Sequence, residues 1–166
     1  HGGRPKVDTI LLDAPATAAH LGWPALIAAL RGAFTEGCEV PLRHTHHIHD
    51  PAGPGGTVLL MPAWRPGRHL GLKTVCIFPG NAAHGLPGLH SLYTLFDART
   101  GVPLAQLDGN EITSRRTAAA AALAASFLAR ADASRLLVLG SGRVARLLAP
   151  ALHGVRPLTQ VQVWNH

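Results

Sequence analysis

Asp108-Gly109-Asn110-Glu111-Ile112-Thr113-Ser114-Arg115-Arg116-Thr117-Ala118-Ala119 divides this 166-residue sequence into two patterns. Upstream, apolar runs are broken repeatedly by turn residues. Downstream come an alanine-rich run and an apolar segment that enters Gly140-x-Gly142-x-x-Ala145. Asp108-Gly109-Asn110 is a turn triplet, because Asp and Asn bond their own backbone and Gly accepts unusual torsions. Asn110 then suits a helix N-cap, with Glu111 in the first turn, where the helix dipole favours an acid. Arg115 and Arg116 follow at once. Arginine is costly to bury and makes bidentate pairs with carboxylates and phosphates. The pair therefore either lies solvated on a helix face or clamps such an anion.

Composition narrows the class. The chain is 47% hydrophobic and 14% charged, enough for one good core or two small lobes. Its net charge of +6 is scattered, with few aromatic residues between the basic ones. That pattern fits small anionic ligands rather than nucleic acid. Cys38 and Cys76 form no Cys-x-x-Cys motif, which argues against a disulfide framework or a thiolate metal site and fits a reducing cytoplasm. No apolar run approaches the roughly 20 residues of a membrane span. His1-Gly2-Gly3 reads as a tag remnant, and no signal peptide is visible.

Working back from the joint, Leu89 to Asp97 and Val102 to Asp108 read as strands joined by a hairpin through Asp97-Ala98-Arg99-Thr100-Gly101. Pro79 to Gly88 reads as a mobile loop. Leu70 to Phe78 and Thr57 to Ala63 are apolar strands, connected through Pro66-Gly67. Lys73 stands inside an apolar run, and an unpaired buried ammonium costs several kcal/mol, so it either snorkels to solvent or meets an anion; the apolar surroundings favour the anion. Val40 to His49 reads as a strand that alternates His44 and His46 on one face with His47 and His49 on the other. Spacing supplies no third ligand, so an ordinary polar strand face is favoured over zinc. Trp23-Pro24 opens a helix with Leu26, Ile27, Leu30 and Phe34 at helical spacing, stopped by Gly37. A shorter helix starts near Asp13 and Pro15, after an edge strand at Thr9 to Leu12. The whole is an α+β lobe over 5–109 with a mostly antiparallel sheet.

Working forward, a helix spans 110–130. Its alanine face permits close packing, between lobes or across a dimer. Then come a strand at Arg135 to Leu139, the glycine turn, a helix to His153 and a strand at Val161 to Trp164. Over 131–166 this is one βαβ unit, the start of a truncated Rossmann α/β domain. In that setting Gly140 and Gly142 allow a tight turn and close backbone approach, and the helix N-terminus faces a pyrophosphate. The competing reading is a tight turn in an unrelated α/β unit. The acidic residue that NAD-specific folds place after the second strand is absent; Asn165 and His166 stand there. Neither repels a 2′-phosphate, so the cofactor expected is NADPH, with NADH possible.

Asp108-Gly109-Asn110-x-Ile112-Thr113-x-x-Arg116-Thr117-Ala118-Ala119 resembles the signature of the ornithine cyclodeaminase/mu-crystallin family, NAD(P)-dependent enzymes of amino acids and cyclic imines. The resemblance runs from about Thr9 to the chain end, the first half of a family member. It implies an N-terminal dimerising lobe and a following Rossmann domain, hence a homodimer. It implies that Arg43, Lys73 and Arg116 hold a substrate carboxylate and that Met61 lines the pocket. Arg116 and not Arg115 takes this role by its place in the signature. Thr117, Gly140, Ser141, Gly142, Arg143, Val144, Ala145, Asn165 and His166 fall on the cofactor side.

True ornithine cyclodeaminases carry an acid two residues before that Met; Leu59 stands here. The resemblance therefore points to the imine-reductase branch, reducing Δ1-pyrroline-2-carboxylate or Δ1-piperideine-2-carboxylate to cyclic amino acids such as proline. Lys73 is then the candidate proton source for the imine. Alternatives are ornithine cyclodeaminase or alanine dehydrogenase activity, or a non-catalytic crystallin-like ligand-binding protein.

Overall fold

Strand β4 (His69–Ile77), with strand β3 (Gly56–Trp64) beside it, lies at the centre of a sheet in a computed structural model that describes residues 8–165. The tag-like His1-Gly2-Gly3 and the cofactor-side His166 lie outside the described residues. The remaining strands are β1 (Ile10–Leu12), β2 (His44–Ile48), β5 (Leu89–Asp97) and β6 (Pro103–Asp108). Their order is β1-β6-β5-β4-β3-β2, antiparallel except for the parallel β1–β6 pair. The chain is thus a mixed sheet with helices, as its sequence patterning implies.

Turn chemistry sets this sheet. Asp97 Oδ1 accepts from the Arg99 and Thr100 backbone N–H groups at 2.8 and 2.9 Å and from the Thr100 hydroxyl at 3.1 Å. Gly101, at φ +72°, closes the β5–β6 hairpin. Between β4 and β5 the chain makes a 3-10 turn, Pro79–His84, ended by Gly85 in the left-handed region. The sequence reads that segment as a mobile loop; here it contains a helical turn, and the side chain of Asn81 bonds the Pro87 carbonyl at 2.8 Å.

β2 is shorter than the expected Val40 to His49. Proline on both strands is the reason: Pro41 lies within the missing stretch and Pro62 opposite it. Trp64 exchanges backbone hydrogen bonds with Glu39, and Leu60 pairs with His44. By alternation Pro62 faces the same way but has no N–H to donate, so the ladder lapses over 40–43. His49 falls just beyond the strand.

Two compact units emerge: the described residues up to Thr17 with Gly37–Asn110, and Ala18–Glu36 with the described residues from Glu111. The first contains the sheet. The second contains helix α2 (Trp23–Glu36), most of helix α3 (Gly109–Leu128), helix α4 (Arg143–His153) and strands β7 (Arg135–Leu139) and β8 (Gln160–Trp164). Helix α1 (Ala14–His20) runs across the boundary. α3 begins at Gly109, one residue before the expected cap at Asn110.

The second unit has its own core. Ala118, Ala119, Ala122 and Leu123 recur one turn apart on α3 and pack with Ile27 of α2 and Ala151 of α4. Ala118, Ala119 and Ala122 are fully buried, since a methyl side chain lets helix backbones approach closely. Three of the alanines are therefore packed inside this unit, while Ala121 and Ala124 are exposed. At the far end of α3, Arg156 Nη2 donates to the carbonyls of Ser126 and Ala129 at 2.9 and 2.7 Å, satisfying orphan acceptors of the last turn.

Candidate functional site

The sheet register sets two of the candidate residues, one basic and one apolar, side by side. Met61 on β3 pairs directly with Lys73 on β4, and Lys73 pairs with Tyr93 on β5. Directly opposed residues in an antiparallel sheet project to one face, so the three form a single row. Val75, on the same face and next but one along β4, is buried at 7% exposure. Lys73 is half-buried and engaged. Arg43 stands immediately before His44, the first paired residue of β2, in the stretch where the ladder to β3 has lapsed. It is exposed. Leu59 lies two residues before Met61 on the same face and pairs with Val75. That face thus carries two apolar residues where a carboxylate would need partners.

In the second unit, the two signature arginines have different environments. Arg115 Nε is 3.2 Å from Glu111 Oε2, its Nη1 donates to the Leu21 carbonyl at 3.3 Å, and its guanidinium lies 5.1 Å from the Trp23 ring centroid. Arg115 therefore ties α3 to the start of α2. Arg116, one position round the helix, is exposed and has no side-chain hydrogen bond or ion pair among the described residues. Thr117, also exposed, donates its hydroxyl to the Thr113 carbonyl at 2.7 Å.

The glycine turn has the geometry its sequence requires. β7 and β8 pair in parallel, Leu139 opposite Trp164, and Gly140 N–H donates to the Trp164 carbonyl at 2.7 Å. Gly140 sits at φ +99°, a conformation side chains disfavour, and Gly142 caps α4 in an extended conformation. A Cβ placed on either glycine would meet nothing within 4 Å. The first intrahelical bond of α4 is Arg146 N–H to the Gly142 carbonyl, so the N–H groups of Arg143, Val144 and Ala145 have no acceptor behind them in the helix. Open space, free-running amides and a helix dipole fit a dinucleotide pyrophosphate. Ser141 contributes its carbonyl to Arg146 Nε at 3.2 Å, bracing the turn. Asn165 follows β8 beside the turn, exposed.

Two features lay outside the sequence reading. Glu111 also reaches Arg143 Nη1 at 3.6 Å, so one carboxylate links the first turn of α3 to the first turn of α4. Tyr93, the only tyrosine of the chain, sits beside Lys73. Neither partner was readable without the register or the helix placement. On β2, the rings of His44 and His46 lie 6.5 Å apart on one face, all exposed. No group of three or more His, Cys, Asp or Glu among the described residues is placed to hold a metal ion. Among them, too, no helix is long and apolar enough to cross a membrane.

A family model for the ornithine cyclodeaminase/mu-crystallin family matches residues 12–166. An uncharacterized protein of Schizosaccharomyces pombe is 53% identical over 150 residues, covering 88% of this chain and 45% of its own length. A Delta(1)-pyrroline-2-carboxylate reductase of Colwellia psychrerythraea is 35% identical over 148 residues, with 88% and 46% covered. Among solved structures, a lysine cyclodeaminase matches with a TM-score of 0.74 at 33% identity, over 95% of this chain and 49% of that one. The Thermococcus litoralis Delta(1)-pyrroline-2-carboxylate reductase, in complex with NADH and L-proline, matches with a TM-score of 0.67 at 28% identity, over 95% and 49%. This chain spans about half the length of the curated relatives it matches.

Proposed function

This chain belongs to the ornithine cyclodeaminase/mu-crystallin family, and from that premise we propose that it supplies the substrate-carboxylate residues and the opening of the dinucleotide site of an NAD(P)H-dependent ketimine reductase. The substrates are cyclic imine carboxylates, Δ1-pyrroline-2-carboxylate or Δ1-piperideine-2-carboxylate, and the products are cyclic amino acids such as proline. The observation that carries this reading is the cross-strand pair of Met61 and Lys73, with Leu59 and Val75 making that face apolar. An amphipathic slot with a cation in it suits a small ring bearing one carboxylate. The apolar Leu59 weighs against the cyclodeaminase, which needs an acid there.

The roles follow from the side chains. Lys73 and Arg43 bind the carboxylate, and Arg116 carries the same role in the signature. A carboxylate held by several charged donors fixes the C=N carbon, and proximity of this kind accounts for much of a rate enhancement. Met61 packs against the ring. Lys73 is also the group that gives a proton to the imine nitrogen, which needs one as the carbon is reduced. The nicotinamide supplies the reducing equivalent when bound. Thr117, Gly140, Ser141, Gly142, Arg143, Val144, Ala145, Asn165 and His166 make up the cofactor side. Without a carboxylate after β8, NADPH is the preferred cofactor.

This reading divides the chain into a substrate-binding and dimerising lobe over 5–109, a connecting helix over 110–130 and the start of the nucleotide domain over 131–166. It includes a homodimer. Leu42, Val40 and Leu92, at 92%, 68% and 55% exposed, leave apolar surface on the first unit that a second copy would cover. The test is NADPH oxidation by the full-length protein with both cyclic imines, set against NAD+ reduction with alanine or ornithine. Turnover of alanine or ornithine alone moves the chain to another activity of the family. Tight cofactor binding without turnover makes it a ligand-binding member.

A further inference from the structure

Lys73 has two direct cross-strand neighbours, Met61 on one side and Tyr93 on the other. Strand spacing puts the outer two about 10 Å apart, with the lysine stem between them. Tyr93 does not stand upright at its own position. A Cβ built on Gly71 would lie 1.8 Å from the Tyr93 hydroxyl oxygen and 2.6 Å from its Cζ. The phenol therefore leaves β5 opposite Lys73, runs diagonally along the sheet, and ends over Gly71, which is buried. Gly71 has an ordinary backbone conformation, so a glycine there serves space and not torsion. The motif Gly71-Leu72-Lys73 thus encodes a seat for the tyrosine as well as the cation two residues later.

We propose that Tyr93 is a specificity-determining residue, the second wall of the Lys73 slot, with Gly71 as its seat. The inference rests on the ketimine-reductase reading for its substrate class. In that role the phenol limits what fits above the lysine to a single five- or six-membered ring, and a fused second ring would meet it. A tyrosine that merely covers a glycine to stabilise the sheet would affect stability and not this size limit.

The experiment uses the full-length protein and its Tyr93→Ala, Tyr93→Phe and Gly71→Ala variants. kcat and KM are measured for Δ1-pyrroline-2-carboxylate and for a benzo-fused six-membered imine carboxylate. Tyr93→Ala is expected to shift the ratio of kcat/KM values towards the larger substrate by about tenfold or more, the scale on which pocket walls discriminate. Tyr93→Phe keeps the ring and should keep the wild-type ratio. Gly71→Ala, which unseats the ring, should change the ratio, and cofactor KM should stay constant throughout. A ratio unchanged in Tyr93→Ala overturns the proposal, even if the melting temperature falls. Titration with pyrrole-2-carboxylate, a flat isostere that needs no turnover, separates the wall from the chemistry. Should the protein reduce no imine, binding of this probe weakened about tenfold in Tyr93→Ala but not in Tyr93→Phe still supports the wall. Equal binding in all variants, or none in the wild type, overturns it.

Discussion

Replacing Arg115 and Arg116 separately by Ala should give opposite phenotypes, although the two are adjacent in the signature. Arg115 loses an i,i+4 ion pair with Glu111 in which both side chains are only about one-fifth exposed, 20% and 21%. Such a pair contributes roughly 0.5 kcal/mol. Its hydrogen bond to the Leu21 carbonyl is long at 3.3 Å, so the low end for a charged donor, about 1.5 kcal/mol, applies. The contact over Trp23 adds about 0.5–1 kcal/mol. Allowing for overlap among the three, Arg115→Ala should cost about 2–3 kcal/mol. For a protein of this size, that is a melting temperature lower by roughly 4–12 °C. Arg116→Ala removes no intramolecular bond among the described residues and should change stability by less than about 0.5 kcal/mol. Its loss should fall on the carboxylate, about 2–4 kcal/mol or roughly 30- to 900-fold in kcat/KM, with cofactor affinity unchanged. Thermal denaturation of both variants and kinetics of the full-length enzyme read the two effects independently. An Arg116→Ala protein that melts early, or an Arg115→Ala protein that melts with the wild type, would refute the division of labour.

Three further outcomes are expected. Asn165→Asp should reverse or erase a preference for NADPH over NADH of about tenfold, because it adds both repulsion of a 2′-phosphate and a ribose partner; kcat/KM for both cofactors is the measurement, and a wild type favouring NADH removes the basis for the assignment. Asp97, whose carboxyl is held below its ordinary value first by the Arg99 and then by the Thr100 backbone N–H groups, contributes stability above its unfolded-state pKa that is lost as pH falls through the lower folded value. Asp97→Asn should therefore destabilise the protein at neutral pH and flatten the melting curve below about pH 4; parallel pH profiles for wild type and variant count against the turn. Arg156→Met should cost about 2–3 kcal/mol through the Ser126 and Ala129 carbonyls it leaves unbonded, and an unchanged denaturation midpoint would mean water replaces it without loss.

How far each residue could be read from sequence depended on how local its determinants are. Asp108-Gly109-Asn110 and Gly140-Ser141-Gly142 act through torsions and caps a few residues long, and the structure starts one helix within the first triplet, at Gly109, and one just after the second, at Arg143. Lys73 was legible as an anomaly because one charge broke an apolar run. Its pairing with Met61 was legible too, since the turn at Arg65 to Arg68 is short: Arg65 N–H bonds the His69 carbonyl, and counting outward from there puts 61 opposite 73. Tyr93 was not. The register of β5 against β4 depends on the connection from Phe78 to Gly88, which bends through a 3-10 turn before Phe78 N–H meets the Gly88 carbonyl. A change of one residue in that connection would turn Tyr93 to the opposite face and put a neighbour beside Lys73.

The misjudged strand has the same kind of cause. Apolar and polar residues alternate well enough from Val40 to His49 to support pairing throughout, yet pairing needs donors on the partner strand, and that partner carries Pro62. The lapse over 40–43 frees the backbone around Arg43 from the ladder. A cation on a regular edge strand would have its direction set by the pleat. One on an unpaired stretch beside a proline can turn towards a ligand at small cost in hydrogen bonds. Pro62 therefore bears on the site through what it withholds: placed next to Met61, it leaves Arg43 adjustable while Met61 and Lys73 stay held by the β3–β4 ladder. In the proposed site one loosely held cation would act with one fixed by its strand, a division that suits capture of a carboxylate followed by alignment of its ring.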